Sequence, residues 1–327
     1  MAKKKIKLGL IGCGANMTQA HVPRIKADGA VDIVGVADPA GPAAERLMER
    51  WGGELPYYAD WRQLFRNGAL DAVFISTPHR DHYLQARRAL EAGLHVLIEK
   101  PLVIAPRHAK ALIDLAGRKR RLLVVAYQRH WMAPYVYARE LVRTRKLGRV
   151  RGVVGYVTQR WGGLGGWRLD PELAGGGMFM DTGSHLVASM LWVTGLEPRL
   201  VAATMDNAGQ RVDINAVLQL SFANGALGTL NTFGNAGRHD ERLAITGSDG
   251  SLVIRLHQWR VKSLLVNDEP AKIPARIKSA SPDRAFFGWI RNGGKGYEKP
   301  AFALQVSRLS EAAYRSAERG APVRVRS

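Results

Sequence analysis

With 327 residues, 46% of them hydrophobic and 23% charged, the chain is longer than one hydrophobic core usually supports and too apolar for disorder, so two folded domains are expected. No apolar run approaches the roughly 20 residues of a membrane-spanning helix, and the basic start Met1-Ala2-Lys3-Lys4-Lys5 leads into a short strand rather than an apolar signal core, so a cytoplasmic protein without a membrane partner is expected. The formal net charge of +20 raises nucleic-acid binding as a class, but Arg87-Arg88, Arg139 to Arg145 and the helix-end run Arg118-Lys119-Arg120-Arg121 read as a solvated basic surface, so no specific nucleic-acid partner is expected.

The first third alternates short apolar runs with helical patterns, the signature of repeated βαβ units around a parallel sheet. Strands are predicted at Ile6–Ile11, Asp32–Ala37, Ala72–Ser76, His95–Ile98 and Leu122–Ala126. Between the third and fourth, Tyr83-Leu84, Ala86 and Ala89-Leu90 give Asp81–Ala92 one apolar helical face before Gly93. Cys13 is the single cysteine, which excludes an intrachain disulfide and a cysteine-based zinc site.

After Ala126 a helix at Pro134–Lys146 gives way to longer strands of period-two alternation. Asn224-Gly225 and Asp249-Gly250 stand between strand patterns as hairpin turns, where positive φ is tolerated. The stretch Asn267–Gly296, rich in Pro, Gly and charge, is expected to be a long loop, and Ala301–Arg319 a last helix stopped by Gly320. The fold class is therefore α/β: a Rossmann doubly wound parallel sheet over residues 1–126, then a second α/β domain with a largely antiparallel sheet over residues 127–327. The last helix, about 301–319, is a candidate to return to the first domain.

Polar residues gather after the predicted N-terminal strands: Gly12 and Gly14, Asp38, Thr77-Pro78-His79, Glu99-Lys100-Pro101 and Gln128. In open α/β sheets ligands bind outside the carboxyl ends of the strands, so these residues mark one rim. Gly12-Cys13-Gly14-Ala15-Asn16-Met17 follows a strand and opens a helix, as a dinucleotide fingerprint does, although Met17 stands where a third Gly or Ala is usual. Asp38 strengthens the assignment, because an acid at the end of the second strand accepts from the ribose hydroxyls and repels a 2′-phosphate. NAD is therefore favoured over NADP, with Arg46 on the following helix as the counter-indication. Lys100, fixed in backbone by Pro101, is positioned to polarise a substrate oxygen.

Gly175-Gly176-Gly177 opens a glycine-rich entry to the apolar segment Leu186–Val193. The glycines either let a ligand approach the backbone or simply give a flexible entry. Asp181 and His185, four apart, fall on one face of a regular helix and together suit a substrate hydroxyl. The spacing also suits two metal ligands, but no partner ligands stand nearby, so no metal is expected. His79-Arg80-Asp81-His82 reads as cofactor-loop and first-turn chemistry.

The ordered set of Gly12-Cys13-Gly14, Ala20-His21-Val22-Pro23, Ser76-Thr77-Pro78 with His82, Ala92-Gly93-Leu94-His95-Val96 into Glu99-Lys100-Pro101, and Gly175-Gly176-Gly177 with Asp181 and His185 resembles the Gfo/Idh/MocA oxidoreductase family along nearly the whole chain. The resemblance implies an open-faced second sheet used for homodimer or homotetramer contacts, an active site in the cleft between the domains, and a sugar or polyol substrate. It implies that Lys100 is the catalytic lysine, that Asp181 and His185 contact substrate, and that Trp167-Arg168 lines the same site. The cofactor set is then Gly12, Gly14, Ala15, Asn16, Asp38, Thr77, Pro78, His79, His82, Glu99, Lys100 and Gln128. The expected activity is hydride transfer between nicotinamide and a hydroxyl carbon, with His185 taking the hydroxyl proton. Two rivals remain at this level: a redox-neutral NAD-using glycosidase or epimerase, and a non-catalytic regulator that senses a dinucleotide or sugar.

Overall fold

The computed structural model describes residues 5–326. The chain divides into two compact units. The first holds the chain up to Val103, Arg107–Ala126 and Ser281–Ala301; the second holds Ile104–Pro106, Tyr127–Ala280 and the chain from Phe302 on.

In the first unit, β1 (Ile6–Ile11), β2 (Val31–Ala37), β3 (Tyr57–Tyr58), β4 (Ala72–Ile75), β5 (His95–Ile98) and β6 (Leu123–Val125) form a parallel sheet in the order β3-β2-β1-β4-β5-β6. The helices α1 (Val22–Asp28), α2 (Gly41–Trp51), α3 (Trp61–Asn67), α4 (His79–Glu91) and α5 (Pro106–Lys119) connect them. The central strands are almost wholly buried, which is why they read as continuous apolar runs rather than alternating ones. The order reverses between β1 and β4, and the crevice outside their carboxyl ends is where such sheets take ligands. The predicted strands lie where the sequence put them, within a residue at each end. The two-residue β3 carried no periodic signal.

The second unit contains α6 (Ala133–Arg143), β7 (Val150–Arg160), α7 (Pro171–Ala174), α8 (Ser184–Thr194), β8 (Pro198–Asp206), β9 (Asn215–Phe222), β10 (Leu227–Phe233), β11 (Asn235–Gly247), β12 (Ser251–His257), β13 (Arg260–Val266) and β14 (Glu269–Pro270). After α9 (Pro282–Arg291) the chain closes with α10 (Ala301–Arg319) and β15 (Val323–Arg324). The nine strands run β14-β13-β12-β11-β7-β10-β9-β8-β15, antiparallel except for the β7–β10 pair. One face is buried: the Cβ direction of Gly155 on β7 meets Leu186 of α8 at 3.1 Å. The other face leaves Val154, Val217, Leu227 and Phe233 exposed.

Both predicted hairpin turns form, between β9 and β10 and between β11 and β12. Gly225 takes the expected left-handed φ of 82°, but neither Asp249 nor Gly250 does. Two further hairpin turns, both left-handed, fall at Gln258-Trp259 (φ 48° and 65°) and Asn267-Asp268 (φ 51° and 64°), of which the first gives no turn signal.

The expected loop Asn267–Gly296 contains helix α9. Ser281 caps it by accepting from the Arg284 amide, Pro282 occupies its first turn, and Phe286 and Phe287 are fully buried in the core of the first unit. A boundary after residue 126 thus misses the return of Ser281–Ala301, whereas α10, a candidate to return there, belongs from Phe302 on to the second unit.

Candidate functional sites in each unit

At the end of β1, Gly12 has a φ of 87°, and a Cβ on it would lie 2.4 Å from the Ser76 carbonyl oxygen. Glycine is required there by the chain itself. Gly14 is different: it is exposed, its φ is outside the left-handed region, and no heavy atom lies within 4 Å of the Cβ position. Nothing in the chain needs glycine at 14, which is the pattern left by a ligand that approaches the backbone closely. Ala15 and Asn16 are likewise exposed, and the chain turns through a π-type segment, Met17–His21, into α1. Met17, the residue that breaks the fingerprint, is fully buried in the core.

Asp38 follows β2 and ties this loop down. Its carboxylate accepts from the Cys13 amide at 2.7 Å and the Ala40 amide at 2.8 Å. Each oxygen retains further acceptor capacity, so the same group can meet ribose hydroxyls. Burial, assisted by Asp38, pushes the Cys13 thiol up to about 12, so it is no nucleophile at neutral pH. Arg46 is exposed on α2.

Past β4 and β5 the rim is braced internally. Thr77 donates its hydroxyl to Gln85 at 2.7 Å. His82 is fully buried, with its ring nitrogens 2.9 Å from the Pro101 carbonyl and 3.0 Å from the Thr77 carbonyl. Burial holds its pKa below the usual histidine range. His82 therefore sits between the two rim segments and, with the one N–H of a neutral ring, donates to one of the two carbonyls. His79 is buried beside it, Pro78 half-buried. Glu99 is also buried: it accepts from the Lys100 amide and faces His21 at 2.8 Å, so it lies beneath the rim rather than on it. Lys100 is half-buried and joined to Pro101 by a cis peptide.

In the second unit, Gly177 to Leu191 is buried except at His185. The three glycines owe their identity to packing: Cβ atoms would meet Ile104 at 2.4 Å from Gly175, the Tyr314 hydroxyl at 2.2 Å from Gly176 and the Asp213 carbonyl at 1.9 Å from Gly177. They are neither a flexible entry nor an opening for a ligand. The Asp213 carboxylate accepts from the Gly177 amide (2.6 Å), the Phe179 amide (2.7 Å) and the Tyr314 hydroxyl (2.6 Å), fixing the segment that carries Asp181 and His185.

Asp181 lies in a π-type turn, Phe179–Gly183, that precedes α8. The chain is thus π-type at Asp181 and α-helical from Ser184 on, with Asp181 buried and His185 half-buried. Asp181 Oδ2 accepts from Trp161 Nε1 at 2.8 Å and from Arg168 Nε at 3.3 Å, and the Arg168 guanidinium lies 4.6 Å from the Trp167 ring centre. The His185 ring stands 5.8 Å from that of Tyr127 and 6.3 Å from that of Trp259, between centroids. Gln128 begins the turn next to Tyr127 and is half-buried.

Three residues that shape this region were not read from the sequence. Trp161 anchors Asp181, Asp213 fixes the backbone, and Trp259 is 47% exposed at the tip of the β12–β13 hairpin. The Trp259 ring lies 4.4 Å from His239 and 5.5 Å from the Arg129 guanidinium, which is itself paired to buried Glu241. An aromatic residue in left-handed backbone, held by two side chains and left half exposed beside His185, has the features of a platform for the apolar face of a ring.

Two family models match the chain: the oxidoreductase family with NAD-binding Rossmann fold (Gfo/Idh/MocA) over residues 6–127, and the Gfo/Idh/MocA C-terminal domain over residues 135–253. The chain is 31% identical over 194 residues to the rhizopine catabolism protein MocA of Rhizobium meliloti, covering 59% of each. It is 27% identical over 197 residues to D-glucoside 3-dehydrogenase of Escherichia coli, covering 60% of this chain and 56% of that one. The chain thus spans less than two thirds of the length of these curated relatives. The crystal structure of an aldose-aldose oxidoreductase from Caulobacter crescentus, complexed with glycerol, superposes with a TM-score of 0.85 at 25% identity, over 98% of this chain and all of that one.

Proposed function

The chain belongs to the Gfo/Idh/MocA oxidoreductase family, and from that premise we propose that it is an NAD-dependent dehydrogenase acting on a hydroxyl-bearing carbon of a sugar, cyclitol or related polyol. The observation that carries the reading is His185, the one residue not buried between Gly177 and Leu191, flanked by Trp259 and preceded by an Asp181 that two donors hold in place. The names of the relatives, a D-glucoside dehydrogenase and an aldose-aldose oxidoreductase, support the substrate class.

The loop from Gly12 to Asn16 would hold the pyrophosphate, and Asp38 the adenosine ribose; the open Cβ direction of Gly14 fits that group. NAD, when bound, supplies a hydride acceptor. His185 takes the proton as the substrate O–H bond breaks, the C–H bonding pair leaves as hydride, and the carbinol becomes a carbonyl. Asp181 fixes the substrate-facing wall through Trp161 and Arg168, and Lys100 of the first unit polarises a substrate oxygen. Lys100→Ala and His185→Ala each lower turnover by roughly a hundredfold or more, since positioned proton transfer contributes on that scale.

The open face of the second sheet meets a second copy of this chain. Val154, Leu200 and Leu227 line a groove of about 510 Å³ on it, an apolar patch better covered in an isologous pair than exposed.

The test of the activity is a panel of sugars, cyclitols and sugar acids with NAD, followed by absorbance of the reduced nicotinamide. Reduction with at least one ring-bearing polyol is the expected result. NAD binding with no reduction across the panel would overturn the assignment.

A further inference from the structure

The most heavily buried charged group of the first unit lies outside the steps above. His21, the last residue of the π-type segment after the glycine loop, has no exposed surface. Its Nδ1 is 2.7 Å from Asp283 Oδ1 on α9, and its Nε2 is 2.8 Å from Glu99 Oε1 at the end of β5. Both carboxylates are buried. Around the group, Asn16 Nδ2 lies 3.4 Å from Nε2, the Arg24 guanidinium 3.5 Å from Asp283 Oδ2, and the Phe74 ring centre 4.4 Å from that of His21. The other oxygen of Glu99 accepts from the Lys100 amide at 3.2 Å.

A neutral imidazole has one N–H, so it can satisfy only one of two flanking carboxylates and must turn a lone pair to the other. With a carboxylate oxygen at each nitrogen, the geometry calls for the imidazolium, which donates to both. Burial opposes that charge, but the hydrogen bonds to Asp283 and Glu99 outweigh it and raise the His21 pKa to about 9. The same contact holds the Glu99 carboxyl below its usual range against its own burial.

Three segments far apart in sequence thus meet at one imidazole ring: the turn that follows the glycine loop, the β5 end that leads to Lys100, and helix α9. We propose that His21 is a positioning residue for the dinucleotide: its imidazolium clamps the glycine-loop turn to the Glu99-Lys100 segment, and dinucleotide affinity falls when that charge is lost. This rests on the dinucleotide reading of the glycine loop. A neutral His21 has no N–H for one of the two buried carboxylate oxygens that face its ring, and the loop that must present its amides to the pyrophosphate loses one of its ties to the segment after β5 or to α9. The sign follows from the raised value. In the folded protein the ring stays charged well below this value, so affinity that depends on the imidazolium is intact near neutral pH and falls as pH rises through about 9.

The test measures the NAD dissociation constant by calorimetry from about pH 7 to about pH 10, beside NMR titration of the His21 ring and a thermal melt at each pH. In the wild type, affinity falls severalfold with a midpoint near the ring's own titration, while the protein stays folded. Asp283→Asn keeps the imidazole but removes one carboxylate, so both midpoints move to lower pH together. His21→Gln binds NAD about tenfold more weakly near neutral pH, as the loss of a charge-assisted hydrogen bond requires, and its affinity no longer depends on pH in this range. A ring that is neutral near pH 7, or a wild-type affinity that stays flat while the ring titrates, would overturn the clamp. Absence of NAD binding at every pH would instead strike down the dinucleotide reading beneath it.

Discussion

Replacing Gly14 by alanine separates what the glycine loop does for the fold from what it does for a cofactor. The added methyl meets no heavy atom within 4 Å, and the backbone there is not left-handed. The folded state therefore tolerates it, and the less flexible unfolded chain should make Gly14→Ala more stable by about 0.4–1 kcal/mol. Gly12→Ala is the control. Its backbone φ of 87° costs roughly 1–3 kcal/mol for a side chain, and its Cβ would sit 2.4 Å from a backbone oxygen that cannot rotate away. Urea titrations at constant m resolve both changes as midpoint shifts in opposite directions. NAD affinity behaves differently: the Gly14 methyl stands where the pyrophosphate approaches, so calorimetry should show a loss of about tenfold or more, or roughly 1.4 kcal/mol. A Gly14→Ala variant that binds NAD like the wild type would refute the assignment of this loop. One that is destabilised like Gly12→Ala would refute the geometric argument itself.

Three further outcomes are expected. NAD should bind about tenfold or more tightly than NADP, and Asp38→Asn, which removes the charge but keeps an acceptor, should narrow that ratio in paired calorimetric titrations; an unchanged ratio assigns discrimination elsewhere. Trp259→Ala should raise KM for ring-bearing substrates by about tenfold with little change in kcat or NAD affinity, and Trp259→Phe should recover part of the loss; equal KM values would remove Trp259 from the substrate site. Asp213→Asn should cost about 1–3 kcal/mol in urea unfolding, because an amide cannot accept from all three donors that now meet the carboxylate; a neutral effect would show that the Gly177–Phe179 segment does not depend on it.

The parallel sheet was legible because its strands are buried on both faces and so form uninterrupted apolar runs between helical patterns. The glycine loop was legible because its residues are neighbours in sequence. What escaped reading depends on distant partners. His21 meets Asp283 across 262 positions, and Trp259 meets His185 and Arg129 by way of a hairpin whose turn residues carry no turn signature. Helix α9 was hidden by its Pro, Gly and charged surroundings, although Phe286-Phe287 anchors it in the first core. Asp181 lies in a π-type turn rather than in the regular helix that the spacing suggested, because the chain there follows Asp213 and Tyr314 from elsewhere in the sequence. The triple glycine, read as ligand access or flexibility, is a packing requirement set by Ile104, Asp213 and Tyr314, none of them adjacent in sequence.

The proposed activity comes down to whether a carbinol hydrogen leaves the substrate as hydride. The most direct measurement uses a substrate from the panel deuterated at the carbinol carbon and follows the label by mass spectrometry in both nicotinamide and product. The account predicts one deuterium in the reduced nicotinamide for each carbonyl formed, and almost no transfer in His185→Ala. A product that keeps or regains the deuterium, with no net reduced nicotinamide, would contradict it and assign the chain to redox-neutral chemistry.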